Sequence, residues 1–175
     1  MSPTAKPTDS GNCGRRRAIT QMPIASHTSF MRRSIEVAKT NPRHPFGAVI
    51  VDHMSETIVA EGVNQTRRTP TQHGEMDAIN NYSASGANNW KDLTLYTTAE
   101  PCAMCMSAIL WSGVRRVVYG TSIPTLMQLG WKQIEIRATE VVARSHRPDC
   151  EVIASVLVGE CDALFHMVAK ARKGT

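Results

Sequence analysis

LTLYTTAEPCAMCMSAILWSGVRRVVYG, residues 93–120, decides the fold. Leu93 to Thr98 is an apolar and Thr-rich run that reads as a strand. Pro101 suits the first turn of a helix, where its missing N–H costs nothing. That helix runs to about Trp111 and stops at Gly113. Val114 to Tyr119 is the next strand. Strand, short loop, helix, strand is the repeating unit of an α/β layer fold.

The neighbouring segments extend the pattern. Thr28 can cap a helix that runs to about Lys39 and ends at Asn41-Pro42. Phe46 to Asp52 (FGAVIVD) and Thr57 to Val63 (TIVAEGV) read as strands of a hairpin turning at His53 to Glu56. A helix follows over 74–83. Downstream, Thr125 to Leu129 is a short helix before Gly130. Gln133 to Arg137 alternates like a fifth strand, and Thr139 to Ser145 looks helical. Val152 to Val158 is a strand or a packing segment, and Glu160 to Ala171 is an amphipathic helix. Alternating strands and helices predict a three-layer α/β/α fold with a central sheet covered on both faces. The two loops that follow strands can then bring two helix N-termini to one sheet edge, where α/β ligand sites sit.

Composition sets bounds. At 175 residues and 42% hydrophobic, the chain is one domain of ordinary make-up. Residues 1–27 carry Pro, Thr, Ser, Gly and Arg without a signal-peptide core, and read as a flexible tail. Residues 28–175 are the folded domain. No run approaches 18 apolar residues, so no membrane span is expected. The formal net charge is +5. Much of the excess lies at the ends, in Arg15, Arg16 and Arg17 and in Lys170, Arg172 and Lys173. Arg32, Arg33, Arg67 and Arg68 lie in the body. A modest positive charge on a mixed surface needs no nucleic acid, so charge alone makes nucleic acid the lesser expectation without excluding it. The five cysteines are an odd number in a chain without a signal-peptide core, and reduced thiols fit the cytoplasm.

The chemistry lies in His73-Gly74-Glu75 and Pro101-Cys102-Ala103-Met104-Cys105. His73, Cys102 and Cys105 make three protein ligands, the number a catalytic Zn2+ takes when it keeps a fourth position for water. Cys102 and Cys105 are three apart and share a helix face. Near a helix N-terminus the dipole favours thiolate, the form that binds metal. Asn64 to Gln72, with Pro70, read as the loop that delivers His73 to its helix. Glu75 is two residues from His73 and so points elsewhere, free to carry protons as the catalytic carboxylate. Two other readings stand beside this one: a redox Cys-x-x-Cys pair, and a structural zinc with Cys150 or His146 as fourth ligand.

FGAVIVD, the VNQT loop, HGEMDAI and LYTTAEPCAMCMSAILWSGVRRVVYG together resemble the cytidine deaminase-like superfamily. The His-x-Glu…Pro-Cys-x-x-Cys order is its signature. The likeness covers about Phe30 to Gly120. It is similar to the branch holding guanine and nucleoside deaminases and the bacterial tRNA adenosine deaminases. The resemblance implies a five-stranded mixed sheet and a homodimer. It implies zinc on His73, Cys102 and Cys105, Glu75 as proton shuttle, Asn64 bonded to base or sugar, and the backbone at Gly74 against the ring. Phe46 is either a stacking platform for the base or a core residue opening a strand. His44, just before it, lines the same mouth or lies at the surface.

The implied reaction is hydrolytic deamination of a free nucleobase or nucleoside with a guanine-like or cytosine-like ring, releasing ammonia. The alternative is a tRNA-specific adenosine deaminase. Gly120 to Trp131 (GTSIPTLMQLGW) departs from the glycines and lysine of the tRNA enzymes. It also lacks the acidic pair of typical guanine deaminases. Trp111, Leu126, Met127 and Trp131 are read as pocket-shaping or as core.

Overall fold

A computed structural model describes residues 24–173. Arg15 to Arg17 and most of the tail expected over 1–27 lie outside the described residues. The first helix, α1, spans Ile24–Lys39. Residues 24–27 are already helical, so Thr28 is not its cap. His27, placed in the tail from sequence, is buried in this helix and shares a 2.8 Å hydrogen bond between its Nδ1 and the Tyr96 hydroxyl.

Strands β1 (Gly47–Asp52) and β2 (Thr57–Val63) form the expected hairpin, with a register shift between Ile50 and Val51. Helix α2 (Gly74–Ala84) leads to β3 (Leu93–Ala99), and α3 (Ala103–Ser112) leads to β4 (Arg116–Thr121). Gly113 ends α3 in the left-handed region at φ 96°, the conformation glycine adopts without penalty. Then come α4 (Ile123–Gln128), α5 (Ala138–Ala143), β5 (Glu151–Ile153) and α6 (Val158–Lys173).

The sheet order is β2-β1-β3-β4-β5. The first three strands are antiparallel neighbours, whereas β4 runs parallel to both β3 and β5. The expected five-stranded mixed sheet is present, but its fifth strand is not Gln133 to Arg137. That stretch forms no strand. Its alternating Ile134 and Ile136 are 53% and 38% exposed, so the period-2 pattern marks no buried face. The outer edge of β4 is taken by Glu151–Ile153 instead.

Side chains alternate across a strand, and here the alternation sorts the core into two layers. Ala48, Ile50, Leu95 and Val117 pack with Ile79, Met106 and Ile109 of α2 and α3. Val49, Val51, Tyr96 and Val118 pack with Met31 and Ile35 of α1 and with Leu164 and Phe165 of α6. Both faces are therefore covered, which gives the three layers. No helix among the described residues is long and apolar enough to cross a membrane.

Candidate metal centre and active site

His73 and Cys102 occupy equivalent places. Each is the N-cap of its helix, α2 or α3, with extended backbone, and neither side chain caps the backbone. An N-cap side chain ordinarily bonds the N–H groups of its own first turn. Here the two side chains turn toward each other instead. Pro101 lies just outside α3 rather than in its first turn, and Cys105 follows inside the helix.

The result is a compact triad. The ligand atoms of His73, Cys102 and Cys105 all lie within 4.8 Å of one another. His73 Nδ1 is 3.6 Å from Cys102 Sγ and 3.5 Å from Cys105 Sγ. A tetrahedral Zn2+ with Zn–S near 2.3 Å and Zn–N near 2.0–2.1 Å requires an N···S separation of about 3.6 Å. The triad fits zinc, and these residues can hold it.

The protonation of the triad also fits. A hydrogen bond from Cys105 holds the Cys102 thiol down to about 4, against burial, with His73 as a second partner. The same bond to Cys102, with burial, pushes Cys105 well up. The hydrogen bond to Cys102 raises His73 despite burial. The pair thus carries one thiolate of its own, and a metal cation would displace the remaining proton.

Glu75 sits beside the triad on the first turn of α2, 4% exposed. Thr97 of β3 donates its hydroxyl to Glu75 Oε1 at 3.4 Å. Burial, then the charge of Cys102, raises the carboxyl above the usual carboxylate range. A carboxyl raised in this way takes up a proton more readily than an exposed one.

The loop over 64–73 is tied to α2. Asp77 Oδ2 accepts the Val63 N–H at 3.0 Å, and its Oδ1 accepts from Gln72 Nε2 at 2.7 Å. One carboxylate therefore clamps both ends of the loop that carries Asn64 and delivers His73. Asn64 is 5% exposed. Its Oδ1 accepts from the Thr66 N–H and hydroxyl, and its own N–H donates to Phe46 O. Gly74 packs so closely that a Cβ there would lie 2.6 Å from Phe46 O. Phe46 directs its ring away from that contact, against Trp131 at 5.1 Å and Phe165 at 4.9 Å between centroids. Of its two readings, packing is the one this arrangement displays.

Two other features bear on the site. Trp111 is 79% exposed and stacks on His146, 4.7 Å between centroids. His146 is thereby accounted for, and Cys150 is buried with its thiol donating toward Val114 O. Neither belongs to the triad. The second feature, Glu100, escaped the sequence reading. Its side chain is fully buried. It accepts from Arg137 Nε at 2.8 and 2.9 Å, from the Ala138 N–H at 2.9 Å and from the Ile123 N–H at 3.0 Å. Glu100 thus fastens the start of α4 and α5 to the segment that opens into Pro101-Cys102. Only its place next to Pro-Cys-x-x-Cys could have marked it.

An α/β fold that presents a thiolate–imidazole triad beside a buried carboxylate defines a zinc-site hydrolase class. Residues 24–121 match the family model for the cytidine and deoxycytidylate deaminase zinc-binding region, and the chain belongs to that family. A probable cytosine deaminase from Schizosaccharomyces pombe is 33% identical over 75% of this chain and 85% of its own. A tRNA-specific adenosine deaminase from Rickettsia bellii is 33% identical over 76% of this chain and 90% of its own. A solved structure described as guanine deaminase from Nitrosomonas europaea superposes with a TM-score of 0.68. It is 23% identical and covers 82% of this chain and 84% of its own. The protein is thus a deaminase of the cytidine deaminase superfamily.

Proposed function

We propose that the protein is a zinc-dependent hydrolytic deaminase of a free nucleobase or nucleoside with a guanine-like or cytosine-like ring. His73, Cys102 and Cys105 are its zinc ligands and Glu75 its proton carrier. The carrying observation is the buried Glu75 carboxyl beside a triad whose N···S distances of 3.5 and 3.6 Å suit tetrahedral zinc.

Zinc, when bound, supplies Lewis-acid activation of water. Glu75 takes the proton that water loses and delivers it to the ring nitrogen beside the amino-bearing carbon. Once oxygen has added to that carbon, Glu75 takes the proton left on that oxygen and passes it to the amino nitrogen, and the oxygen becomes the new carbonyl. The C–N bond breaks, and water plus amine become an oxo ring plus ammonia. The Thr97 hydroxyl orients the carboxylate by donating to it. Asn64 supports the reading as a ring contact, since Thr66 engages only its Oδ1 and its side-chain NH2 makes no hydrogen bond among the described residues. Gly74 brings backbone to the ring edge.

The second reading is a tRNA-specific adenosine deaminase, favoured by the Rickettsia bellii relative and its 90% coverage. A panel of bases, nucleosides and an anticodon stem-loop, with ammonia as readout, tests both. Release from a base or nucleoside supports the first, and release only from the stem-loop replaces it with the second. A homodimer is expected from the family, and gel filtration with light scattering tests it. The buried, unpaired Cys102, Cys105, Cys150 and Cys161 suit a reducing compartment such as the cytoplasm.

A further inference from the structure

Asp77 of α2 is a carboxylate that neither the metal triad nor the proton transfer uses. Its two oxygens serve opposite ends of one loop, the Val63 N–H at 3.0 Å and Gln72 Nε2 at 2.7 Å. Val63 directly precedes Asn64, and Gln72 directly precedes His73. A carboxylate accepts at both oxygens and donates nothing, so it suits two converging donors. The loop adds a closure of its own, with the Gln65 N–H donating to Gln72 O at 2.8 Å. The Asp77 N–H also donates to His73 O at 2.9 Å in the first turn of the helix.

The surroundings are tight. A side chain on Gly62 would collide with Gly74 O and Ala78 N, so the end of β2 and the start of α2 are in backbone contact. Asn64 is held on its other side by its N–H on Phe46 O at 3.0 Å and by Asn41 Nδ2 on its carbonyl at 2.8 Å. Asp77 fastens the same stretch to α2, the helix that carries Glu75 two residues earlier. The separation between ring contact and proton carrier is therefore set through Asp77. An acid in a first turn also favours the helix dipole, but that role alone would fasten no loop.

We propose that Asp77 is a positioning residue of this site, which holds Asn64 in register with Glu75 and His73 in place for zinc through the two ends of one loop. The proposal rests on the deaminase reading. A misplacement of about 1 Å from a distant change can cost about 10²-fold in rate. Loss of a residue that supports a metal ligand costs about 10–100-fold in metal affinity. Asparagine at position 77 separates clamp from charge. Its oxygen can accept the Val63 N–H, and its NH2 can donate to Gln72 Oε1 once the Gln72 amide turns over. Asp77→Asn therefore keeps a neutral clamp, whereas Asp77→Ala removes it.

The test uses the full chain. Competition with a chromophoric chelator gives zinc affinity, and circular dichroism sets a temperature at which each variant is folded. Ammonia release from guanine, guanosine, cytosine and cytidine gives KM and kcat for the ring that reacts. Asp77→Ala is expected to lower zinc affinity about tenfold and to raise KM by a similar factor, with kcat falling less. Asp77→Asn recovers most of both losses. Gln72→Leu also lowers zinc affinity, and adding it to Asp77→Ala costs nothing further, since the two act through one bond. A lower melting temperature in Asp77→Ala with zinc affinity and KM unchanged overturns the proposal. So does an additive loss in the double variant, or an Asp77→Asn protein as impaired as Asp77→Ala. Where Asp77→Ala does not fold, Gln72→Leu carries the zinc measurement, and unchanged affinity there overturns the proposal. If no probe yields ammonia, the deaminase reading falls while the zinc series still decides the clamp. Affinity lost in Asp77→Ala and restored in Asp77→Asn upholds it, and equal affinities overturn it.

Discussion

Glu100→Gln should destabilise the protein far more than a one-atom change implies. The carboxylate accepts from Arg137, from the Ala138 N–H and from the Ile123 N–H, with no exposure to water. The amide keeps the volume but has one acceptor oxygen, and its NH2 faces an N–H donor. A hydrogen bond to a charged group is worth about 1.5–3 kcal/mol, and a buried main-chain N–H left unpaired costs about 1–3 kcal/mol. Arg137 is 44% exposed and can turn to water, so its share is discounted. The expected loss is about 2–4 kcal/mol. For a chain of this size, about 3 kcal/mol lowers Tm by roughly 6–12 °C. Urea unfolding of both proteins with zinc present, followed by tryptophan fluorescence and circular dichroism, measures it. A difference under about 0.5 kcal/mol, the size of an ordinary surface change, would refute the idea that Glu100 anchors α4 and α5.

Other substitutions probe the site itself. Glu75→Gln should retain zinc yet lose about 10²–10⁴-fold in turnover, as expected for a missing proton carrier; metal analysis beside an ammonia assay separates the two effects. Cys105→Ser should lower zinc content and thermal stability together, and chelation of the wild type should reproduce the stability loss. Gly74→Ala forces a methyl toward Phe46 O, which lies 2.6 Å from the Cβ position, and should cost about 1–3 kcal/mol by overpacking. His27 is lowered by burial, then by the charge of Arg116. Its stabilising contribution is therefore present above about pH 6.5, the unfolded value, and is lost as pH falls through the folded one. Melting curves of wild type and His27→Gln from pH 7.5 to 5 should converge toward the acid end.

The candidate site residues were legible in the sequence because their spacing is local. His73 with Glu75, and Cys102 with Cys105, are each set by one helix start, and both pairs occupy the ends expected of them. The sheet's buried strands were legible for the same reason: FGAVIVD and LTLYTT carry their burial in their own composition. What failed was reading Gln133 to Arg137 as a strand. Alternation says which side chains would share a face, not whether a strand edge is available, and β4 pairs with Glu151–Ile153. The helical residues 24–27 were missed because a plausible cap at Thr28 drew attention from them. Glu100 was invisible because its partners at 123, 137 and 138 are distant in sequence. Phe46 was left between two roles, and only its neighbours Trp131 and Phe165 show where the ring lies.

The two helices that begin with His73 and Cys102 are also the connections from β2 to β3 and from β3 to β4. Neither ligand can reach the other until both crossovers have closed onto the sheet. The antiparallel hairpin β1–β2 can form early from near neighbours, but the parallel pairing of β3 with β4 must wait for α3 to cross. Metal capture at His73, Cys102 and Cys105 would consequently be a late event in folding, open only to chains whose sheet is already assembled. A cation held there would bridge two crossovers and latch them against reopening, so zinc supply should govern the lifetime of the native state more than the rate of reaching it.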